Sequence, residues 1–371
     1  MTFRVGVPSE TKPGENRVSL TPAGAAALAR AGAAVRVQSG CGVESGFSDD
    51  EYAAAGAVIV PGAAEAWDAD LVVKVKEPIP EEFPFLREET ALFTYLHLAA
   101  FPELTAVLLE RKVTAIAYET VTDGGGLPLL RPMSEVAGVL SVQVGARGLE
   151  KSCGGRGVRL SGVTGAAPGR VCVVGAGNAG RCAARAAVGM GASVAVLDTS
   201  AEKLAAVRRE HGGKARTERS TPQAVEAAVA GADLVISTVL VVGDRAPLII
   251  PRALLKRMGK GAVVVDIAID QGGTLETSRP TTHAAPYFVE EGIVHYCVSN
   301  MPAAVPRTAT SALATATLPH VLEMARSSPV RAIREDAALR AGLNTYRGRV
   351  TCEGVARALK REYVPPGDLL G

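Results

Sequence analysis

The feature that most constrains this chain is a glycine-rich turn between two apolar runs. Residues 171–174 (VCVV) lead directly into GAGNAG at 175–180, an Ala-rich stretch follows, and a second apolar run ends at Asp198. A bare G-x-G-x-x-G is a weak signal. Here it lies between a predicted strand and a predicted helix, with an acidic residue 18 positions past the third glycine. This context predicts a dinucleotide-binding βαβ unit.

Each glycine of the turn has a physical role in such a unit. Gly175 permits the tight turn, Gly177 lets the backbone approach a pyrophosphate, and Gly180 allows the helix to pack closely on the strand. The N-terminus of the helix then offers N–H groups and the positive end of its dipole to phosphate. Asp198 would accept hydrogen bonds from ribose hydroxyls and repel a 2′-phosphate, which predicts NAD rather than NADP. The alternative is a turn that binds nothing, with Asp198 as a helix cap.

Short β-rich runs alternate with Ala-rich stretches along most of the chain, which predicts parallel α/β sheets. Thr21-Pro22 predicts a helix start, with an N-cap followed by proline. The region past residue 301 is predicted to contain a loop, helices and polar turns only. The predicted strands cover 4–8, 34–38, 57–60, 71–76, 92–97, 115–121, 171–174, 193–198, 233–238, 262–269 and 293–299.

Composition excludes several classes of protein. A length of 371 residues predicts roughly two to three domains, and 47% hydrophobic with 21% charged residues is typical of globular chains. The net charge is +2 without a basic cluster, so no nucleic-acid partner is predicted. Six cysteines without a C-x-x-C pair, and histidines without ligand spacing, predict no disulfide frame and no metal site. Apolar runs far shorter than ~20 residues, with no signal peptide, predict a cytoplasmic protein away from membranes.

Three titratable residues close predicted strands, where ligands collect in α/β sheets. They are Lys76, His97 and Asp270, and a cleft between two α/β domains would bring them together. Each has an ordinary alternative. Lys74 and Lys76 share one face, as on a solvated edge strand, and His97 follows an apolar run, as a buried core histidine does.

Two further residues have open interpretations. Asp266 lies inside the same predicted strand as Asp270 and could equally be the polar group that matters. Arg17, in GENRVSLTP, could clamp a carboxylate, although arginines are also abundant on protein surfaces.

Nine segments taken in order are more specific than any one of them. Together they resemble bacterial alanine dehydrogenases from about residue 4 to 365. The relatives of that family include the NAD(H)-binding component of proton-translocating transhydrogenase, which shares the fold but not the catalytic set. The segments are ETKPGENRVSLTP, LVVKVKEP, FTYLHLAA, AYETV, LPLLRPMSEVAG, GRGV, VVDIAIDQGG, RPTTH and NMPAAVPRTAT.

The resemblance implies an α/β fold of two Rossmann-like domains, with the nucleotide-binding domain inserted into a discontinuous substrate domain. The implied division is a substrate and catalytic domain over 1–128, an NAD-binding Rossmann domain over 129–306, and the rest of the substrate domain over 307–371. It also implies a homo-oligomer, with a hexamer favoured.

The resemblance also implies roles for single residues. Arg17 would hold the substrate carboxylate and Lys76 its carboxylate and carbonyl. His97 would be the general acid and base, and Asp270 would orient the attacking water. The implied pocket is lined by Met133 and Asn300. The residues implied to contact NAD are Ser134, Gly175, Gly177, Asn178, Ala179, Gly180, Asp198, Lys203, Ser220, Val239, Leu240, Ile267, Asp270, Val298 and Met301.

The implied reaction is reversible oxidative deamination of L-alanine to pyruvate and ammonium by hydride transfer to NAD. Two alternatives are the same chemistry on another small 2-oxo acid, and a non-catalytic NAD(H)-binding subunit like that of transhydrogenase. The sequence departs from the family pattern in three places that bear on substrate identity. These departures are Thr164 in place of proline, Val242 and Asp244 in VVGDRAP, and Ala314 and Thr315 in ALATAT.

Overall fold

The computed structural model describes residues 2–239 and 246–371. The chain separates into two compact units, one formed by Met1–Met133 with Ala303–Gly371 and the other by Ser134–Pro302. The sequence placed the two divisions at 128/129 and 306/307. Helices and strands are numbered in chain order across both units.

Unit 1 is built on a mainly parallel sheet. Its strands are β1 (Arg4–Val7), β2 (Ala34–Gln38), β3 (Val58–Val60), β4 (Leu71–Val73), β5 (Ala91–Thr94), β6 (Thr114–Ala117), β14 (Leu343–Tyr346) and β15 (Arg349–Val350). Its α-helices are α1 (Pro22–Arg30), α2 (Asp49–Ala54), α3 (Ala63–Trp67), α4 (Pro102–Glu110), α10 (Pro306–Ser327), α11 (Pro329–Glu335), α12 (Ala337–Gly342), α13 (Glu353–Leu359) and α14 (Pro366–Leu370). The spatial order of the strands is β15-β14-β6-β5-β4-β1-β2-β3.

Local chemistry explains several of these elements. The predicted start of α1 is confirmed, because the Thr21 side chain accepts a hydrogen bond from Gly24 N and Pro22 is the first helical residue. Strands β4 and β5 are buried on both faces, as in a sheet covered by helices. On one side of the sheet, the core contains Trp67 of α3 and Leu92 of β5, together with apolar side chains from α4 and α13.

The C-terminal region contradicts its prediction of turns and helices only. Strand β14 pairs antiparallel with β6, with Leu343 opposite Ile116, and β15 pairs antiparallel with β14. The sequence of β14, LNTY, is half polar, so this strand lacks the apolar run that would have predicted it. Its polar side chains are nevertheless buried, and the Thr345 hydroxyl donates to Val113 O at 2.9 Å.

Unit 2 is a second sheet covered by helices. Its strands are β7 (Arg170–Val174), β8 (Ser193–Asp198), β9 (Ala215–Arg219), β10 (Leu234–Ser237), β11 (Val263–Asp266), β12 (Tyr287–Glu290) and β13 (Ile293–Tyr296), in the order β12-β13-β11-β10-β7-β8-β9. Its α-helices are α6 (Asn178–Gly189), α7 (Ala201–His211), α8 (Pro222–Ala230) and α9 (Arg252–Leu255), and α5 (Arg131–Gly148) begins just before the division at residue 133. Strands β7 to β11 and β13 run parallel, and β12 is antiparallel.

Two kinds of strand prediction were wrong. Five predicted strands were too long by three or four residues, because they end at Val73, Thr94, Ala117, Asp266 and Tyr296 while buried residues continue into the loops. Strands β9 and β12, which both lie at sheet edges, were missed. The sequence of β9, ARTER, is polar and gives no apolar run, whereas β12 carries a run of only three apolar residues, Tyr287–Val289. Among the helices of the described ranges, none combines the length and the apolar character needed to cross a membrane.

Candidate active site

The glycine turn of unit 2 has the geometry that a phosphate-binding turn requires. Gly175 has φ +103°, and a Cβ there would lie 2.5 Å from Thr238 Oγ1. A Cβ on Gly180 would lie 1.9 Å from Gly175 O, so only glycine lets α6 pack this closely on β7. A Cβ on Gly177, by contrast, would meet nothing within 4 Å. Because Gly177 is also the side-chain-free N-cap of α6, the first turn presents its N–H groups to the open space that a pyrophosphate needs.

Asp198 ends β8 and ties the surrounding loops together. Its Oδ2 accepts a hydrogen bond from Ala176 N at 2.6 Å, and its Oδ1 accepts one from Ser200 N at 2.7 Å. The carbonyl of Asp198 accepts a further bond from Ser220 N at 2.9 Å. The carboxylate therefore fixes the glycine turn and the start of α7. A carboxylate oxygen accepts more than one hydrogen bond, so this role is compatible with binding a ribose hydroxyl.

The other residues that the sequence assigned to the cofactor lie at several places in unit 2. Val239 lies beside the glycine turn, with its Cγ2 3.3 Å from the position of a Cβ on Gly175. Lys203 is exposed on the first turn of α7 and donates its backbone N–H to Ser200 Oγ. The half-buried Ser134 and Ile267 and the buried Val298 and Met301 belong to other segments of the unit. Leu240, Val242 and Asp244 lie outside the described residues.

Asp266 and Asp270 have different environments. The Asp266 carboxylate is fully buried and accepts hydrogen bonds from Ala268 N (3.1 Å), Thr274 N (2.7 Å) and Ser278 Oγ (2.6 Å). It is the N-cap of the 3₁₀ turn Ile267–Gln271, which carries Asp270. Asp266 is therefore a structural carboxylate.

Asp270 is exposed in its unit and lies past the end of β11, so it does not close a strand as predicted. Its Oδ2 accepts the backbone N–H of Asn300 at 3.3 Å. Asn300 itself has a left-handed backbone, with φ +59°. The structure thus places these two predicted site residues next to each other.

Arg17 in unit 1 is only 3% exposed, which excludes a surface arginine. The Glu15 carboxylate holds it through Nε–Oε1 at 2.6 Å and Nη2–Oε2 at 2.5 Å. Its Nη1 lies 2.9 Å from the sulfur of Met133, a residue that the sequence also assigned to the site. Burial alone would lower the pKa of Arg17, but the hydrogen bond and charge of Glu15 raise it above its ordinary value. The guanidinium is thus a permanently charged and rigidly oriented group.

His97 follows β5 in a left-handed conformation, with φ +48°. Its backbone N–H donates to Glu119 Oε1 at 2.6 Å, and its Nδ1 lies 3.8 Å from the same oxygen. The Tyr95 ring lies parallel to the imidazole at 5.9 Å between centroids. Burial raises the pKa of Tyr95, and the charge of Arg17 acts to lower it, so the ring that stacks on His97 lies within the electrostatic range of Arg17. With its side chain 40% exposed, His97 is not a buried core histidine.

Lys76 is half-buried and lies three residues past the end of β4. Its backbone N–H donates to Glu10 Oε2 at 3.2 Å, and its carbonyl accepts a hydrogen bond from Thr94 Oγ1 at 3.0 Å. The alternative of a solvated edge strand is wrong, because β4 lies between β1 and β5 and Lys74 is completely buried. Lys76 therefore follows one of two neighbouring strands and His97 follows the other.

Sequence reasoning missed the carboxylates that hold these groups. Glu10 and Glu15 lie in the loop ETKPGENR before α1, and Glu119 follows β6. Glutamates in short loops are usually solvated, so nothing in the pattern marked these three as buried or half-buried partners of cations and backbone amides. For Glu10 and Glu15, proximity in sequence to Arg17 was the one available signal, and Glu119 had none of this kind.

Taken together, the glycine turn of one unit and the cations and histidine of the other define a nicotinamide-dependent oxidoreductase. Comparison with known families narrows the class. Residues 6–137 match the family described as "Alanine dehydrogenase/PNT, N-terminal domain", and residues 141–353 match "Alanine dehydrogenase/PNT, C-terminal domain". The chain belongs to the alanine dehydrogenase/PNT family.

Individual relatives agree over the full length. The chain is 49% identical to the alanine dehydrogenase of Bacillus subtilis, covering 97% of this chain and 96% of that one. It is 50% identical to the alanine dehydrogenase of Halomonas elongata over the whole of both chains. A solved L-alanine dehydrogenase matches with a TM-score of 0.94 at 46% identity, covering 96% of this chain and 99% of that one.

A solved transhydrogenase from Sinorhizobium meliloti matches with a TM-score of 0.81, covering 94% of this chain and 99% of that chain. At 24% identity this likeness concerns the fold alone. The family, the two-domain α/β fold and the class of amino-acid dehydrogenase that the sequence predicted are therefore confirmed.

Proposed function

We propose that the chain catalyses reversible, NAD-dependent oxidative deamination of L-alanine to pyruvate and ammonium. The observation that carries the proposal is the arrangement in unit 1, where Lys76 and His97 follow two neighbouring strands and the charge of the buried Arg17 reaches the Tyr95 ring that stacks on His97. Two cations suit a carboxylate, and a half-exposed imidazole suits proton transfer near neutral pH. The names of the relatives point to alanine as the amino acid.

Substrate binding would depend on the two cations. Arginine fixes the plane of a carboxylate through paired N–H groups, and lysine adds a point charge that also reaches a carbonyl oxygen. Glu15 orients the Arg17 guanidinium before any substrate arrives. A site organised in advance loses less entropy when it binds and holds the substrate Cα in one position.

Proton transfer would be the task of His97 and Asp270. When bound, the nicotinamide accepts the hydride that leaves the substrate Cα. His97 would take the proton released as water adds to the substrate iminium, and return it in the reverse reaction. Asp270 would stabilise the iminium charge and orient the water. The resulting carbinolamine collapses to pyruvate and ammonia.

The glycine turn and Asp198 suit NAD in particular. Gly177 leaves room for the pyrophosphate, and α6 offers its N–H groups. The half-buried Asp198 carboxylate would bind the ribose hydroxyls of NAD and repel the 2′-phosphate of NADP. A hexamer and a cytoplasmic location remain predictions, and light scattering of the purified protein measures the first.

The test is NADH oxidation by purified protein with pyruvate and ammonium, beside a panel of other small 2-oxo acids. Oxidation that requires both pyruvate and ammonium is the expected result. Turnover with another 2-oxo acid but not with pyruvate would mean that the chain performs the same chemistry on that substrate. The departures at Thr164, Ala314 and Thr315 would then be the first candidates for the change in specificity. NADH binding without turnover on any substrate would contradict the proposal and favour a non-catalytic nucleotide-binding subunit.

A further inference from the structure

Unit 1 contains a buried cluster of three charged side chains that the proposed reaction does not use. The Lys74 ammonium lies 3.2 Å from Glu10 Oε2 and 2.8 Å from Glu82 Oε1. No side chain of this Glu10–Lys74–Glu82 cluster is more than 4% exposed. Burying charged groups costs several kcal/mol per ion, and apolar residues of similar volume often stabilise a fold as well or better. The cost of this burial points to a role for the cluster besides stability.

Glu10 connects the cluster to the backbone that carries Lys76. Its Oε1 accepts a hydrogen bond from Val75 N at 2.6 Å, and its Oε2 accepts one from Lys76 N at 3.2 Å. The Lys76 carbonyl is held from the other side by Thr94 Oγ1. Both backbone polar groups of Lys76 are therefore fixed, although Lys76 lies beyond the end of β4.

The same contacts join two segments that carry the proposed substrate cations. Glu10 and Arg17 belong to one loop, which runs from the end of β1 to the start of α1. Before Arg17 in sequence, Glu10 binds this loop to the residues after β4. After Arg17, Ser19 binds the loop to β4 itself by donating its hydroxyl to Val73 O at 2.7 Å. The position of the loop relative to the end of β4 thus depends on contacts that flank Arg17.

We propose that Glu10, held in place by Lys74, is a positioning residue that sets Lys76 relative to the loop carrying Arg17. The inference rests on the proposed function, in which these two cations hold one substrate carboxylate. A carboxylate held by two groups requires a fixed separation between them, and a misplacement of ~1 Å can reduce the rate by about 10²-fold.

Lys74 is suited to hold Glu10 because it stays charged. Burial alone would lower the pKa of Lys74, but the charges of Glu10 and Glu82 raise it above its ordinary value. Glu82 also holds the ammonium, at 2.8 Å, and its second carboxylate oxygen accepts a hydrogen bond from Ile79 N at 3.1 Å, in a contact that does not involve Lys76.

The experiment compares Glu10→Gln with Glu82→Gln in the full-length protein. Both variants make the same chemical change to a buried carboxylate on the same ammonium, but Glu10 alone of the two bonds to Val75 and Lys76. Both should lower the Tm. Glu10→Gln should also raise the KM for pyruvate at least about tenfold, with the KM for NADH within about twofold, while Glu82→Gln leaves both KM values within about threefold.

Equal rises in the KM for pyruvate in the two variants would overturn the inference, because a general loss of stability would explain them. An unchanged KM in a folded Glu10→Gln would overturn it as well. Lys76→Ala then locates the failure. If Lys76→Ala raises the KM for pyruvate, the positioning role alone is wrong. If it does not, the assignment of Lys76 in the proposed function is wrong, and the inference falls with it.

A second variant serves if Glu10→Gln does not fold. Ser19→Ala removes a different contact between the loop and the end of β4, and loses one hydrogen bond of about 0.5–1.5 kcal/mol. The KM for pyruvate should rise at least about twofold without a change in that for NADH, and no rise would contradict the inference.

Discussion

Replacing Gly177 with alanine should separate cofactor binding from folding. Gly177 has φ −71° and ψ −168°, which alanine adopts without strain, and the added Cβ would meet nothing within 4 Å. Alanine is a poorer N-cap than glycine, but it also reduces the conformational entropy of the unfolded chain, which stabilises the fold by about 0.4–1 kcal/mol. These effects oppose each other, so we expect the free energy of unfolding to change by less than about 1 kcal/mol.

The same Cβ would occupy the space into which a pyrophosphate must come. Displacing the phosphates by a methyl group would weaken one or more hydrogen bonds from the first turn of α6, and a hydrogen bond to a charged group contributes about 1.5–3 kcal/mol. The Kd for NADH should therefore rise about 10- to 100-fold. Titration of NADH fluorescence measures the Kd, and thermal unfolding without NADH measures stability.

Two matched glycine variants serve as controls. Gly189→Ala makes the same change at the far end of α6, where a Cβ also meets nothing within 4 Å, and should leave the Kd for NADH unchanged. Gly180→Ala places its Cβ 1.9 Å from a carbonyl oxygen, and should lower stability by about 1–3 kcal/mol or more. If Gly177→Ala bound NADH as tightly as Gly189→Ala, the turn would not be the pyrophosphate site.

Three other substitutions test the remaining assignments. His97→Ala should reduce turnover at least ~10²-fold with NADH binding unchanged, and steady-state kinetics showing turnover within a few-fold of wild type would remove His97 from the reaction. Lys76→Ala should raise the KM for pyruvate far more than that for NADH, and equal effects on both would argue against a substrate cation. Asp198→Ala should weaken NADH binding and reduce the preference for NADH over NADPH, and an unchanged preference between the two would refute its role in selecting the cofactor.

The glycine turn was predictable because all of its determinants are local. Strand, turn, helix and acidic residue follow one another within residues 171–198, and each depends on its neighbours in sequence. The start of α1 at Thr21 was predictable for the same reason. Signals of this kind need no knowledge of what packs against them.

The ends of strands and the partners of the charged residues were not predictable in this way. Lys74 lies in an apolar run, where lysine suggests an edge strand, yet its two carboxylate partners come from a preceding loop and a following turn. Likewise β11 ends at Asp266 because its carboxylate caps a 3₁₀ turn, while the apolar sequence continues through Ile269. Tertiary contacts decide both cases.

The pairing of β14 with β6 has a consequence for how the protein is made. Leu343 of β14 lies opposite Ile116 of β6, so β14 is translated 227 residues after the strand that it covers. At about 5–20 residues per second, that interval lasts roughly 10–45 s on the ribosome. During that time the backbone N–H and C=O groups along one side of β6 have no partner strand, and such an edge invites pairing with other chains. Nascent unit 1 is therefore a candidate for chaperone binding until the C-terminal strands emerge.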